Sequence, residues 1–274
     1  VKRPLATLAA HAVLLAYTAL ALFPVLLVVF NSVKARLAIF RTPYALPTPE
    51  TFDLIGYGTV LGSANFPLYF RNSLGVTLVS LALILLAGSM AAFALSEYRF
   101  PGNALLGLYL AVGIMIPIRL GTVSLLRMMV SLGLTDTLLA LILVYTASGI
   151  PLAVFILTQF MGQVPRDLKD AARIDGASEY RIYALVLPLV RPALGTVAVF
   201  NMIPIWNDLW FPLILASSEN TKTVILGAQI FLGQYVNDWN AVLASLTLAV
   251  VPVILLYIVF SRQLIRGLTS GSVK

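Results

Sequence analysis

The sequence predicts an all-α membrane protein with six transmembrane helices, and three observations carry that expectation. Sixty per cent of the 274 residues are hydrophobic and only 11% are charged, a balance for which a soluble domain of this size has no core large enough. The apolar residues fall in uncharged runs of bilayer length, since about 20 helical residues cross the hydrocarbon. Lys and Arg are gathered between those runs, and mostly on one side of them.

The first span is Ala12–Val33, which holds 22 residues without a charge behind the basic start Lys2-Arg3. It is longer than the apolar core of a cleaved leader and reads as a retained signal-anchor. The second, Asn72–Ser96, is uncharged and rich in Leu, Ala and Gly. The third, Asn103–Met128, is interrupted by Pro117 and Arg119. The fourth lies within Thr137–Gln159, the fifth within Ala193–Leu215 and the sixth within Asn240–Arg262. Thr223–Asn237 is too short to span and too polar, with Gln229, Gln234 and Asn237, so it is expected as an interfacial or re-entrant helix. Lys34–Tyr69 contains Pro43, Pro47, Pro49 and Pro67 and reads as an ordered external segment. Ala216–Trp239 forms a second. Three regions follow: 1–69 with the first helix and its external segment, a core at 70–262, and a tail at 263–274.

Six spans place both ends on one side. That side holds Lys2, Arg3, Arg99, Arg166, Lys169, Arg173, Arg181, Arg191, Arg262, Arg266 and Lys274, against Lys34, Arg36, Arg41, Arg71 and Lys222 opposite. Eleven against five puts both termini in the cytoplasm. The net charge of +7 is therefore a membrane-topology signal, and no nucleic acid is expected as a partner.

A charged island lies between two uncharged runs, Thr137–Pro165 and Pro192–Asn207. It carries Arg166, Asp167, Lys169, Asp170, Arg173, Asp175, Glu179, Arg181 and Arg191. Pro165 is suited to open a helix with Asp167 in its first turn, and Gly176 to end it in a left-handed conformation. Ser178 is placed to cap a second short helix, and Pro188 and Pro192 break the chain before it re-enters the membrane. Two short helices at an angle make a knob fit for another protein's cleft; an amphipathic loop on lipid headgroups is the alternative.

Within this island Asp170-Ala171-Ala172, Asp175-Gly176-Ala177, Leu187-Pro188 and Pro192 resemble the EAA loop of bacterial ABC importer permeases. Asp170 stands where the family most often has Glu. The chain is most similar to the sugar-importing, maltose-type branch, closely from Met161 to Lys274 and more loosely from Phe70 to Phe160. The resemblance implies the type I importer permease fold, in a multi-pass protein of the bacterial inner membrane. It implies coupling helices in which Asp170, Ala171, Ala172, Asp175, Gly176, Ala177 and Pro188 engage a cytoplasmic ATPase dimer. Its other implied partners are a second, homologous permease, a periplasmic or lipid-anchored substrate-binding protein, and a sugar-like substrate or related polyol. ATP and Mg would be bound by the ATPase, so this chain is not expected to hold a cofactor or to be an enzyme. The tail RQLIRGLTSGSVK also resembles that branch, in which it approaches the ATPase; a basic tail on acidic headgroups is the alternative.

Polar residues inside spans are costly without partners and mark function. Asn201, Trp206, Asn207, Asp208 and Trp210 lie in NMIPIWNDLWFPL, which is similar to the family's fifth span, implied there to line the translocation path. Aromatic faces beside amide and carboxylate groups suit a sugar. Interfacial anchoring of the tryptophans, with Asp208 paired to a basic group, is the alternative. Arg119 has three outlets: snorkelling outward, pairing with Asp208, or facing an aqueous cavity. Tyr145, Thr146 and Ser148 face either that cavity or a neighbouring helix.

Other chemistry has little support. No GxxxxGK[ST] loop cradles phosphate, and one His with no Cys makes neither a zinc site nor a disulfide. Ser124 and Ser148 have no activating base nearby in sequence. An ion-coupled secondary transporter would need buried relays, for which only Arg119 and Asp208 qualify. A non-transporting scaffold would leave the island without a purpose.

The topology has a direct check. Single cysteines introduced at the N-terminus, at Arg173 or at Lys274 are expected to resist an impermeant thiol reagent added outside intact cells. Labelling at 173 from outside would overturn both the topology and the role given to the island.

Overall fold

In hydrocarbon a helix pairs every backbone N–H within one segment, so the uncharged runs become helices. The structure is a computed structural model that describes residues 4–62, 65–233 and 237–270, without the side chains of 4–6, 256–257 and 259–270. In chain order it contains α1 (Pro4–Ser32), α2 (Arg36–Arg41), α3 (Ile55–Gly62), α4 (Phe66–Glu97) and α5 (Asn103–Met115). A 3₁₀ turn at Ile118–Gly121 leads into α6 (Thr122–Ser131), followed by α7 (Leu138–Gly162), α8 (Arg166–Ile174) and α9 (Glu179–Val186). Then come α10 (Arg191–Trp206), α11 (Trp210–Leu215), α12 (Val224–Ala228) with a 3₁₀ turn at Gln229–Phe231, and α13 (Trp239–Ser270). Among the described residues β pairing is confined to isolated bridges, Lys34 with Phe52 and Leu232 with Asn237.

Three helices among the described residues are each long and apolar enough to span: Thr7–Ser32 of α1, α4 and α7. Two bent pairs raise the number to 5, α5 with Ile118–Ser131 at 85° and α9 with α10 at 77°. The apolar part of α13, Trp239–Leu255, is shorter, so length and composition alone stop one short of the six predicted. The bend after α5 has the cause read from the sequence. Ile116, which precedes Pro117, is forced into an extended conformation (φ −77, ψ 118), and the helix stops there.

The fifth span departs from the expected continuous helix. α10 ends at Trp206 and α11 begins at Trp210, because the Asp208 side chain competes for the local backbone amides. The expected helix over Thr223–Asn237 is reduced to α12 and one 3₁₀ turn. Lys2, Arg3, Gln234 and Lys274 lie outside the described residues, and for Arg262 and Arg266 the structure describes only helical backbone.

The chain divides into two compact units, residues 1–68 with 224–251, and 69–223 with 252–274. In the first, Lys34 is wholly buried just past the end of α1. Its ammonium donates to Asn31 Oδ1 (3.2 Å) and the Thr42 carbonyl (2.9 Å), while its own carbonyl accepts from Asn240 Nδ2 (2.7 Å). Burial pushes the Lys34 ammonium pKa down. Gly56 lies against the Asn240 backbone so closely that no Cβ fits.

In the second unit, α7 lies at the centre of one apolar core and packs on α5 and α10. Small residues let the helices approach. A Cβ on Gly88 would stand 2.7 Å from Ala153 Cβ, and one on Gly149 would stand 2.5 Å from Asn201 Oδ1 and collide with Ile84. Gly149→Val is therefore expected to destabilise the protein by about 1–3 kcal/mol through overpacking. A lower melting temperature by fluorescence-detected size exclusion would register the loss. Gly107→Val, where a Cβ meets nothing within 4 Å, is the control expected to change little.

Candidate functional site

The charged island folds into an elbow, α8 then α9. Pro165 stands at the N-cap, Asp167 in the first turn and Arg173 in the last, each with the sign that suits the helix dipole. The exit from α8 is a Schellman motif. Gly176 is left-handed (φ +78), the Ala177 amide donates to the Ala172 carbonyl (2.9 Å), and the Gly176 amide donates to the Arg173 carbonyl (3.0 Å). Ala172 and Ala177 close on the core beside it. Ser178 takes the N-cap position of α9, but its hydroxyl makes no capping bond. Ile182 and Val186 anchor α9 in the core, whereas Ile174 and Tyr180 stand 87% and 79% exposed. Two large apolar side chains thus project from the most charged segment of the chain. Ala171, Asp175 and Pro188 are exposed with them.

One guanidinium organises the base of this elbow. Arg173 donates to Glu97 Oε1 (2.6 Å), Asp170 Oδ1 (2.9 Å) and both oxygens of Glu179 (2.9 and 3.3 Å). These carboxylates, Glu179 first and then Glu97, push its already high pKa higher still. Lys169 pairs with the other oxygen of Glu97. Both are buried, with side chains 5% and 9% exposed. Removing one member of such a buried pair costs about 3–5 kcal/mol, because the other charge is stranded. Tyr98 OH donates to Glu179 Oε2 (2.6 Å), and burial, then this acceptor, push its phenol up to about 12. Lys169 and Arg173 were legible only as island charges. Glu97 was missed, and its one signal was a lone carboxylate closing a long uncharged run.

A cavity of about 540 Å³ opens between α5, α7 and α10, lined by Arg119, Tyr145, Ser148, Asn201, Asp208 and Phe211 among others. Asp208 is its electrostatic centre and is 8% exposed. Its carboxylate accepts from Tyr145 OH (2.9 Å) and from the amides of Phe211 (3.1 Å) and Trp210 (3.3 Å), with Arg119 at 3.4 Å. Four donors are what makes a carboxylate tolerable in this setting. Of the alternatives left open for Arg119, pairing with Asp208 is observed, although its side chain is still 67% exposed. Tyr145 faces the cavity and Asp208 at once.

The predicted path residues separate into two groups. Arg119, Asn201 and Asp208 line the cavity; Trp206, Asn207 and Trp210 are not among its lining residues. Trp206 is buried edge-on against Phe70 (5.6 Å between centroids), and Trp210 Nε1 donates to Thr122 Oγ1 (3.0 Å). Asn207 bonds back to the Ile203 carbonyl (3.0 Å) as the helix ends. Asn201 is buried and bonded to the Val197 carbonyl (2.9 Å).

Asymmetric burial of the Arg119–Asp208 pair makes a contrast measurable. Asp208→Ala strands the Tyr145 hydroxyl and two amides, and is expected to cost about 1–3 kcal/mol or more. Arg119→Ala removes a mostly exposed partner and is expected to cost about 1 kcal/mol or less. Melting of the two purified variants, compared side by side, checks the difference.

Comparison with known proteins places this geometry. Residues 9–270 match the family described as binding-protein-dependent transport system inner membrane component. The diacetylchitobiose uptake system permease protein NgcG of Streptomyces coelicolor is 32% identical over 265 residues, covering 96% of this chain and 87% of the relative. The arabinooligosaccharides transport system permease protein AraQ of Halalkalibacterium halodurans is 33% identical over 258 residues, 93% of this chain and 92% of that one. Among solved structures, one chain from a bacterial ABC transporter involved in import of the acidic polysaccharide alginate superposes with a TM-score of 0.78. It shares 23% identity and covers 94% of this chain and 96% of that one, and the likeness is one of fold. With a core, an elbow and a cavity of this kind, matched over nearly its whole length, the chain belongs to the family of binding-protein-dependent transport system inner membrane components, the permease subunits of ABC importers.

Proposed function

We propose that this permease carries a sugar, or a related polyol or glycoside, across the bacterial inner membrane. In this reading α8–α9 is the coupling element, engaged by a cytoplasmic ATPase dimer that binds ATP and Mg. Asp170, Ala171, Ala172, Asp175, Gly176, Ala177 and Pro188 build it, and both chain termini lie on the same side. The observation that carries the reading is the elbow itself. It sets the exposed Ile174 and Tyr180 around a Schellman turn whose Gly176 has open space beside it.

The cavity beside Asp208 supports a path through this chain. It combines apolar walls with a few convergent polar groups, Ser148, Asn201, Asp208 and Arg119, a composition that suits sugar rings with hydroxyls at their edges. Trp206, Asn207 and Trp210 act indirectly here, by holding the break between α10 and α11 that presents Asp208. The cavity takes part in a path completed by a second permease, and a substrate-binding protein delivers the cargo to its outer end. Residues 1–69, 70–262 and 263–274 serve as anchor with outer segment, transport core and tail. Supporting the sugar assignment are the uptake systems named for two relatives, which carry diacetylchitobiose and arabinooligosaccharides.

Gly176 supplies the test of the coupling role. A side chain at φ +78 is strained by roughly 1–2 kcal/mol, although no neighbour blocks it. Gly176→Asp is expected to leave membrane insertion intact and to reduce ATPase co-purification several-fold. Residual complexes should lose the stimulation of ATP hydrolysis by loaded binding protein in proteoliposomes. Wild-type stimulation in that variant would remove the elbow from the coupling role.

A further inference from the structure

The last turn of α4 ends in a carboxylate whose two oxygens are taken by two cations of α8. Glu97 Oε2 pairs with Lys169 and Oε1 accepts from Arg173 (2.6 Å). Lys169 and Arg173 are four residues apart and therefore share one face of α8. That face is turned onto α4, and the Glu97 and Lys169 side chains are almost closed to solvent. A second tie lies beside the first. Ser89 Oγ and Tyr183 OH are 2.7 Å apart, and Phe93 of α4 meets Tyr98 and Tyr183 edge-on at 6.2 and 5.6 Å.

Two charge-assisted bonds converging on one carboxylate fix α8 in rotation as well as in position. An apolar contact of equal size would let the helix roll or slide at little cost. Turning α8 about its own axis would break both bonds to Glu97 together and strand a buried cation, Lys169, which is paired with that carboxylate.

We propose that Glu97 is a positioning residue for transport: it joins the elbow to α4 so that α8, α9 and α4 move as one body when the elbow is displaced. This inference rests on the reading of α8–α9 as the ATPase-engaging element. It adds which membrane helix receives the displacement, and through which atoms. The elbow is then a lever clamped to α4.

The chain contains no cysteine, so two introduced cysteines can carry spin labels. Leu78 in α4 and Leu185 in α9 are both exposed and suit pulsed-EPR distance measurement in the complex purified with its partner subunits in nanodiscs. In the wild type, one narrow distance is expected, unchanged between the nucleotide-free state and the state trapped with ATP and vanadate. Glu97→Leu combined with Lys169→Met replaces the ion pair by an apolar pair without leaving a charge stranded. In that variant the distribution is expected to at least double in width and to shift on trapping, with ATPase co-purification within about twofold of wild type. Hydrolysis should persist while its stimulation by loaded binding protein falls. A distribution as narrow and immobile as that of the wild type would overturn the proposal. Should the double variant fail to accumulate, Glu97→Asp keeps the charge but draws it back by one methylene. It is expected to broaden the distribution to a lesser degree, and an unbroadened distance there would be equally fatal. If the wild-type chain recruits no ATPase, the functional reading fails on its own, while the nucleotide-free distances still report whether Glu97 clamps the elbow.

Discussion

A polar group without a partner is prohibitively costly in hydrocarbon, and the irregular parts of this chain are organised by that constraint. Where α10 stops and α11 begins, the freed amides of Trp210 and Phe211 turn to the Asp208 carboxylate, which also takes the Tyr145 hydroxyl and the Arg119 guanidinium. The break and the charge therefore solve one problem together: the break exposes donors, and the carboxylate requires them. Between α6 and α7 an exposed carboxylate ties the chain instead. There Asp136 adopts a left-handed conformation, and its carboxylate accepts from the Ser218 amide (3.0 Å) and the Thr221 hydroxyl (2.7 Å), which holds its pKa below the usual range. At the start of α4, Asn72 Nδ2 serves the carbonyls of Asn220 (2.9 Å) and Lys222 (3.0 Å).

The cavity and the elbow lie in the same compact unit, and α7 runs between them. Tyr145 near one end lines the cavity; Met161 near the other packs in the core with Ile182 and Val186 of α9. At 1.5 Å per residue these ends are about 24 Å apart. On the proposed reading, any mechanical link between hydrolysis and the cavity has at least that distance to cover, within a unit whose helices pack closely at Gly88, Gly113 and Gly149.

Much of this is legible in the sequence, for physical reasons. Uncharged runs of bilayer length admit only a helix, and so α1, α4 and α7 were readable as helices, although α1 (from Pro4) and α4 (from Phe66) begin well before the expected starts at Ala12 and Asn72. The bend after α5 was announced by Pro117. The elbow was announced by its charge density and by Gly176. The break at 207–209 was hidden, because it falls within an apolar stretch and depends on which donors surround Asp208. Glu97 was hidden more deeply. Its partners Lys169 and Arg173 are 72 and 76 residues away in sequence, and a single acid after a span has no periodicity to betray it. Nor does the sequence distinguish the members of this segment: Trp206 is buried and Trp210 exposed, while Asp208 between them is the one that lines the cavity.

The three long spans differ in what surrounds them. None of the most apolar stretch of α1 is buried within the chain, against 33% for α4 and 39% for α7. Substitution therefore obeys different rules along one polypeptide. Within this chain, most of α1 faces away from the core and is held only to apolar character, so Leu, Val, Ile and Phe are interchangeable at many of its positions, whereas Asn31 and Ser32 at its end are buried and hydrogen-bonded. α7 is constrained by shape, and a single methyl group at Gly149 is too many. Sequence drift among relatives should thus look like a shuffled apolar alphabet in α1 and a more restrained text on the packed face of α7, where Tyr145 and Ser148 also line the cavity.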